Sequence, residues 1–273
     1  MLKKRIIFTL LYIDGFFYQS RNFNLQKVGD LKWLKRNYNF KNISFFIDEL
    51  IILNISRNEK NFDSFIKAVQ DVSEFSFVPV SVGGGIISKK IASDLLSNGA
   101  DKILINSAAY NEPQIIDEIA STYGEQSIII GIDLKKENQN YFIYIDNGSK
   151  KISLSLTEYL SKINKLKFGE VLINSIDRDG TGIGLDFEPL NLIPNNFQKP
   201  IILSGGCGNA EHIDVGIKKN SISAISTANL LNFIGNGLQK CREQLIVKKN
   251  NFPLWDLQVI KDLQGYFKKN NRL

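Results

Sequence analysis

Asp133 closes the apolar run Ile128-Ile129-Ile130-Gly131-Ile132-Asp133. A carboxylate at the end of such a run is costly to bury unless it is paired or working. It is therefore the best single candidate for a general acid or base. A salt bridge to a neighbour such as Lys135 is the purely structural alternative. Asn174-Ser175-Ile176-Asp177-Arg178-Asp179-Gly180-Thr181 is dense in polar groups directly after another apolar run. Gly83-Gly84-Gly85 and Gly205-Gly206 each follow an apolar run and precede a helical pattern. Glycine lets backbone N–H groups come close to an anion, and a helix start favours negative charge. Two such turns read as two phosphate grips; tight turns without a ligand are the alternative.

Other residues narrow the chemistry. Only two cysteines occur, Cys207 and Cys241, and His212 is the one histidine. No Cys/His cluster exists, so the reading is no metal and no cofactor. Ser-His-Asp and Cys-His mechanisms would both have to use His212, which reads as a surface or capping residue at a helix start. Lys and Arg number 34 against 28 Asp and Glu, a net +6. That favours anionic ligands without a basic, aromatic-interleaved stripe for nucleic acid. Few cysteines, no apolar run of about 18 residues and no cleavage site after the basic, apolar start predict a cytoplasmic protein that does not span the membrane.

These residues need elements to position them. Continuous apolar runs predict strands at Arg5–Tyr12, Glu49–Ile55, Phe77–Val82, Lys102–Asn106, Ser127–Asp133, Glu170–Ser175, Pro200–Ser204 and Ala224–Thr227. Such runs suit parallel strands buried on both faces. Helical spacing appears at Asn61–Ser73, Ser88–Ser97, Pro113–Tyr123, Thr157–Leu166 and Ala210–Lys219. Strands alternating with helical or loop segments predict an α/β fold, a (β/α)8 TIM barrel over residues 1–249. A doubly wound sheet is the structural alternative. Asn147-Gly148 between Tyr141–Asp146 and Lys150–Leu156 predicts a small β-hairpin after the fifth strand. Residues 250–273 form a tail with Trp255, Leu257, Val259, Ile260 and Leu263, packed on the barrel or on a partner.

The chain also repeats itself. Asp48–Ile52 resembles Gly169–Ile173, and Ser81–Gly85 resembles Leu203–Cys207, at an offset of about 121 residues. A half-barrel duplication explains both pairs and predicts two similar ligand subsites at the mouth. At the opposite face Arg5, Glu49, Lys102 and Glu170 each start a strand. Two cations and two anions there could close a salt-bridge ring, read either as bottom-face stability or as a gate to the interior.

Together, LKKRII, Asp14-Gly15, VGGGI, GADKILINSAA, GIDLKK, LINSIDRDGTGIGLD and SGGCGNAEH resemble the HisF family, the cyclase subunit of imidazole glycerol phosphate synthase. The resemblance runs from the N-terminus to about residue 245. It implies a duplicated barrel with two phosphate sites, fed with ammonia along its axis by a HisH-like glutaminase on the N-terminal face. It implies roles for residues already named. Asp133 matches one of two catalytic aspartates. Gly85, Asn106 and Ser107 match the first phosphate site, and Asp179, Gly180, Gly206, Ala228 and Asn229 the second, with Asn229 where a serine is more usual. Arg5, Glu49, Lys102 and Glu170 match the ammonia gate, and Asp101 a residue near the glutaminase interface.

The departures carry information. The family's first strand reads Cys-Leu-Asp-Val-Lys-Asp-Gly, and here Leu11 stands at the other catalytic aspartate. Leucine cannot move a proton. Gln19 replaces a lysine, Asn54 an aspartate and Asn174 a threonine. This combination resembles a side branch that works with a glutaminase and a sugar amidotransferase in the acetamido-to-acetamidino modification of bacterial surface sugars. Three expectations follow. One is an ammonia-relaying barrel of that branch. The second is a histidine-pathway cyclase acting on a phosphorylated nucleotide. The third is a phosphate-binding scaffold without chemistry.

Overall fold

Alternation along the first strand sets the plan of the molecule. Ile6, Phe8, Leu10 and Tyr12 pack outward among the helices, whereas Ile7 joins an apolar layer on the axis. Arg5, Thr9 and Leu11 share the parity of Ile7 and so face inward. A computed structural model describes residues 3–37, 45–74, 76–228 and 237–253. Its strands are β1 (Arg5–Ile13), β2 (Phe16–Arg21), β3 (Asn24–Asp30), β4 (Glu49–Asn54), β5 (Val80–Gly83), β6 (Lys102–Ile105), β7 (Ile128–Glu137), β8 (Asn140–Ile145), β9 (Lys150–Lys151), β10 (Glu170–Ser175), β11 (Ile201–Ser204) and β12 (Ile222–Thr227). The helices are α1 (Leu31–Asn37), α2 (Phe62–Ser73), α3 (Lys89–Leu96), α4 (Ser107–Asn111), α5 (Gln114–Tyr123), α6 (Leu156–Ile163), α7 (Ala210–Ile217) and α8 (Gly237–Val247).

Eight of the strands, β1, β4, β5, β6, β7, β10, β11 and β12, pair in parallel in that order. β12 returns to β1, with Arg5 opposite Ala224 and Phe8 opposite Thr227. The sheet is thus a closed (β/α)8 TIM barrel, and the doubly wound alternative is excluded. Inside, Ile7, Ile51, Leu104, Ile129, Leu172, Ile202 and Ala224 form one apolar layer. The larger core lies between the outer strand faces and the helices. Side-chain caps start several helices: Asn61 accepts from Ser64 N–H, Asn209 from His212 N–H, and Ser155 with Glu158 forms a capping box. His212 itself accepts from Gly208 N–H at 3.1 Å, so it closes a local turn.

Two loops differ from expectation. After β7 the main hairpin is β7 against β8, turning at Asn138-Gln139, where both residues have positive φ. The Asn147-Gly148 signal marks a second, shorter turn into the two-residue β9. A further hairpin, β2 against β3, was not predicted. Its turn residues Asn22 and Phe23 have φ of 51° and 61°. Phe is a poor residue for that region, so the turn gives no local signal. The tail expectation is only partly open to view. Asn251 O accepts from Lys4 N–H at 2.9 Å, which lays residues 250–253 along the barrel floor. Trp255, Leu257, Val259, Ile260 and Leu263 lie outside the described residues.

Candidate active site

Asp133 sits on the inward face of β7 at the mouth, half-buried. Asn106 Nδ2 donates to one carboxylate oxygen at 2.9 Å, and Asn174 Nδ2 to the other at 2.9 Å. These amides come from the ends of the two flanking strands, β6 and β10. Lys135 does not pair with Asp133; its ammonium lies 5.7 Å from the Tyr144 ring centroid. Burial pushes the Asp133 carboxyl up to about 6 against both amide hydrogen bonds, and the Asp179 charge adds to the rise. A carboxyl near 6 can give or take a proton around neutral pH. Leu11 is 9% exposed and belongs to neither apolar cluster. With its inward parity it presents a hydrocarbon surface at the mouth.

The β2–β3 hairpin folds over this mouth. Asp179 accepts from Ser20 Oγ and from Phe23 N–H at 3.2 Å. Asn22 N–H donates to Asp179 O at 2.8 Å, and Asn22 Nδ2 to Asp177 O at 2.6 Å. Burial raises the Asp179 pKa against those side-chain and backbone hydrogen bonds. Gly180 closes the seam at φ 67°, and a Cβ there would collide with the Ser20 carbonyl oxygen. Gly180→Ala is expected to part hairpin from loop at a cost of about 1–3 kcal/mol. Faster proteolysis at the Asn22-Phe23 turn, without loss of the barrel, would report it. An unchanged cleavage rate would contradict it.

The two glycine turns match in backbone geometry. Gly84 and Gly85 have φ of 100° and 80°, and Gly205 and Gly206 have 93° and 89°. Each first glycine faces the end of the preceding barrel strand, Asn54 O for Gly84 and Ser175 O for Gly205. The duplication read in the sequence thus appears as repeated main-chain geometry. Ser107 Oγ, beside the first turn, accepts from Asp146 N–H at 2.9 Å. Ala228 follows β12 half-buried. Asn229 lies outside the described residues.

At the opposite end the four charged residues meet. Arg5 Nη1 donates to Glu49 Oε2 at 2.8 Å and to Glu170 Oε2 at 3.1 Å, and Arg5 Nη2 also pairs with Glu170. Lys102 Nζ lies 2.9 Å from Glu49 and 3.0 Å from Glu170. Cations and anions alternate around a closed ring across the axis. Burial opposes the Glu170 charge, but Arg5 and Lys102 outweigh it and hold its carboxyl below the usual range. Ser81 Oγ adds a 2.7 Å bond to Glu49, a partner that sequence reasoning missed. Ser81 shares the inward parity of Gly83, which was the available signal. Outside the ring lies a cavity of about 580 Å³ lined by Lys3, Arg5, Phe77, Pro79, Glu170 and Pro253 among others. Asp101 is exposed on this side, its carboxylate accepting from Val80 N–H at 2.7 Å.

The sequence that folds into this barrel, with a charged ring at one end and Asp133 between two glycine turns at the other, matches a family model. Residues 25–233 match the model described as "Histidine biosynthesis protein". The chain belongs to that family. Among its relatives is a hisF2 protein of Parasynechococcus marenigrum (strain WH8102), provisionally named an imidazole glycerol phosphate synthase subunit. It is 46% identical over 244 residues, covering 89% of this chain and 91% of the relative. The imidazole glycerol phosphate synthase subunit HisF of Pelodictyon phaeoclathratiforme (strain DSM 5477 / BU-1) is 36% identical over 246 residues, 90% of this chain and 96% of that one. HisF of Chlorobaculum tepidum is likewise 36% identical, with the same coverage. These matches place the chain among the HisF proteins. No helix of this HisF-family chain, among its described residues, is long and apolar enough to cross a membrane.

Proposed function

We propose that this HisF-family barrel is the ammonia-receiving subunit of a cytoplasmic glutamine-dependent synthase. A glutaminase partner docks on the N-terminal face, near Asp101, and ammonia enters through the ring of Arg5, Glu49, Lys102 and Glu170. It then passes the apolar axial layer, where neutral ammonia travels more cheaply than ammonium. At the mouth it serves the acetamido-to-acetamidino modification of a bacterial surface sugar, completed with a sugar amidotransferase. The observation that carries this reading is the pairing of an intact charged ring with Leu11 at the mouth. The inlet is retained where the second carboxylate of a two-carboxylate cyclase is missing.

A second reading keeps the chain in imidazole glycerol phosphate synthesis. It is favoured by Asp133 and by the two matched glycine turns, which suit a substrate with a phosphate at each end. Gly85, Asn106 and Ser107 would hold one phosphate, and Asp179, Gly180, Gly206, Ala228 and Asn229 the other. A cyclase assay separates the two readings, using purified protein, saturating ammonium and the phosphoribulosyl-formimino carboxamide nucleotide. Without a second proton-transfer group, turnover is expected to be about 10²–10⁴-fold below that of a HisF with both aspartates, and Leu11→Asp is expected to raise it. Full wild-type turnover would overturn the first reading. So would failure to bind, or to activate, any glutaminase encoded beside it.

A further inference from the structure

Lys60 lies on the loop between β4 and α2, and no role in the site has been given to it so far. Its stem crosses the first glycine turn: a Cβ on Gly85 would meet Lys60 Cδ and, at 2.6 Å, Cε. Its ammonium donates to Asn54 O at 3.0 Å and to Ser56 O at 2.6 Å. Asn147 Nδ2 shares the Ser56 carbonyl at 3.3 Å, and the adjoining Asp146 N–H rests on Ser107. Lys60, Gly85 and Ser107 therefore border one patch of the mouth. An ammonium has three N–H donors, and two are used by carbonyls. No carboxylate lies within ion-pair distance of it among the described residues; the exposed Asp14 acts on it only through space.

The second glycine turn carries a counterpart. Arg178 Cβ lies 3.0 Å from a Cβ placed on Gly206, and its guanidinium donates to Gly184 O at 3.2 Å and Leu185 O at 3.1 Å. Each turn thus has one cation packed over its second glycine and anchored by loop carbonyls. The two differ in charge balance. Arg178 Nε stands 4.0 Å from the buried Asp186 carboxylate, whereas Lys60 has no such neighbour.

We propose that Lys60 is the cation of the first phosphate subsite, placed by the Asn54 and Ser56 carbonyls so that its third N–H meets a phosphate monoester held on Gly85 and Ser107. This rests on the phosphate-site reading above and adds a residue and an asymmetry to it. The first subsite has no carboxylate at ion-pair distance from its cation among the described residues, the exposed Asp14 acting only through space. The second, with Arg178 shared by Asp186, is closer to neutral.

Inorganic phosphate and ribose 5-phosphate, titrated into the intact protein, provide the test. The backbone amide resonances of Gly85 and Gly206 report the two subsites separately. Lys60→Met is expected to weaken binding at Gly85 by about tenfold or more and to flatten its salt dependence. Gly206 is expected to titrate as in the wild type. Lys60→Arg is expected to restore the Gly85 response to within a few-fold, which a purely structural role in capping carbonyls would not separate from the Gly206 response. Equal binding at Gly85 in wild type and Lys60→Met would overturn the proposal while leaving the phosphate-site reading intact. Absence of phosphate binding at both glycines in the wild type would overturn that reading and this proposal with it. If Lys60→Met does not fold, Lys60→Gln takes its place, with the same expected loss.

Discussion

Asp133→Asn is expected to lower ammonia-dependent product formation by about 10²–10⁴-fold, the usual cost of losing a proton-transfer group. The same substitution should change how stability depends on pH. The folded-state pKa of Asp133 is raised to about 6, above the roughly 3.9 of an unfolded Asp. The folded state therefore binds the proton more tightly. Its contribution to stability is fully present below the unfolded pKa and is lost as pH rises through about 6. Above that pH the buried charge costs up to about 3 kcal/mol, and Asn does not carry that cost. Asn106 and Asn174 can turn their amides to suit a neutral partner. Denaturant unfolding at pH 4.5 and pH 7.5 checks this. Wild type should lose stability between the two, the variant should not, and matching profiles would refute the assignment. If Asp133 acts as a base, kcat/KM should rise with pH through about 6 and then level.

Glu49→Ala is expected to cause the largest loss of stability among single changes in the four-residue ring. Glu49 is 2% exposed and accepts from Arg5, Lys102 and Ser81. Its removal leaves two neighbouring cations with only Glu170 between them. Breaking a buried pair from one side costs about 3–5 kcal/mol, because the remaining charge stays desolvated. Arg5 and Lys102 are each 21% exposed toward the floor, so the lower end of that range is expected. Lys102→Met should cost less, since Arg5 still faces both carboxylates. Equilibrium unfolding of both variants decides it. A Glu49→Ala protein within about 1 kcal/mol of wild type would mean that the ring carries little structural weight.

Both predictions rest on pairs that no local pattern contains. The amides that hold Asp133 come from residues 27 and 41 positions away. The ring joins Arg5 to a glutamate 165 positions on. Strand periodicity puts these side chains on the inward face, but only barrel closure sets which of them meet. Lys60 shows the same limit. In sequence it is one polar loop residue among several, and it acquires a place only because β4 and β5 are adjacent, which lays its stem across Gly85.

What the sequence determined by itself was whatever repeats over short range or is written in residue type. Continuous Ile, Val and Leu runs marked the eight parallel strands, and the shared offset between the Glu and Gly positions pointed to a duplication, while the pairing of β12 with β1 excluded the doubly wound alternative. Arg5, Glu49, Lys102 and Glu170 were legible as a ring because each starts a strand. Strand parity turns Leu11 to the axis, and only the resemblance to the HisF family marks it as standing where an acid is expected. Tertiary structure decided the rest. It decided that Asp133 is clamped by two amides rather than by Lys135, and that an unsignalled hairpin turning at Asn22-Phe23 closes over Asp179. It also decided that the two glycine turns differ in the charge beside them. The physical reason is common to all three. Periodicity and turn propensity act over a few residues, whereas hydrogen bonds and desolvation depend on which distant groups the closed sheet brings within about 3 Å.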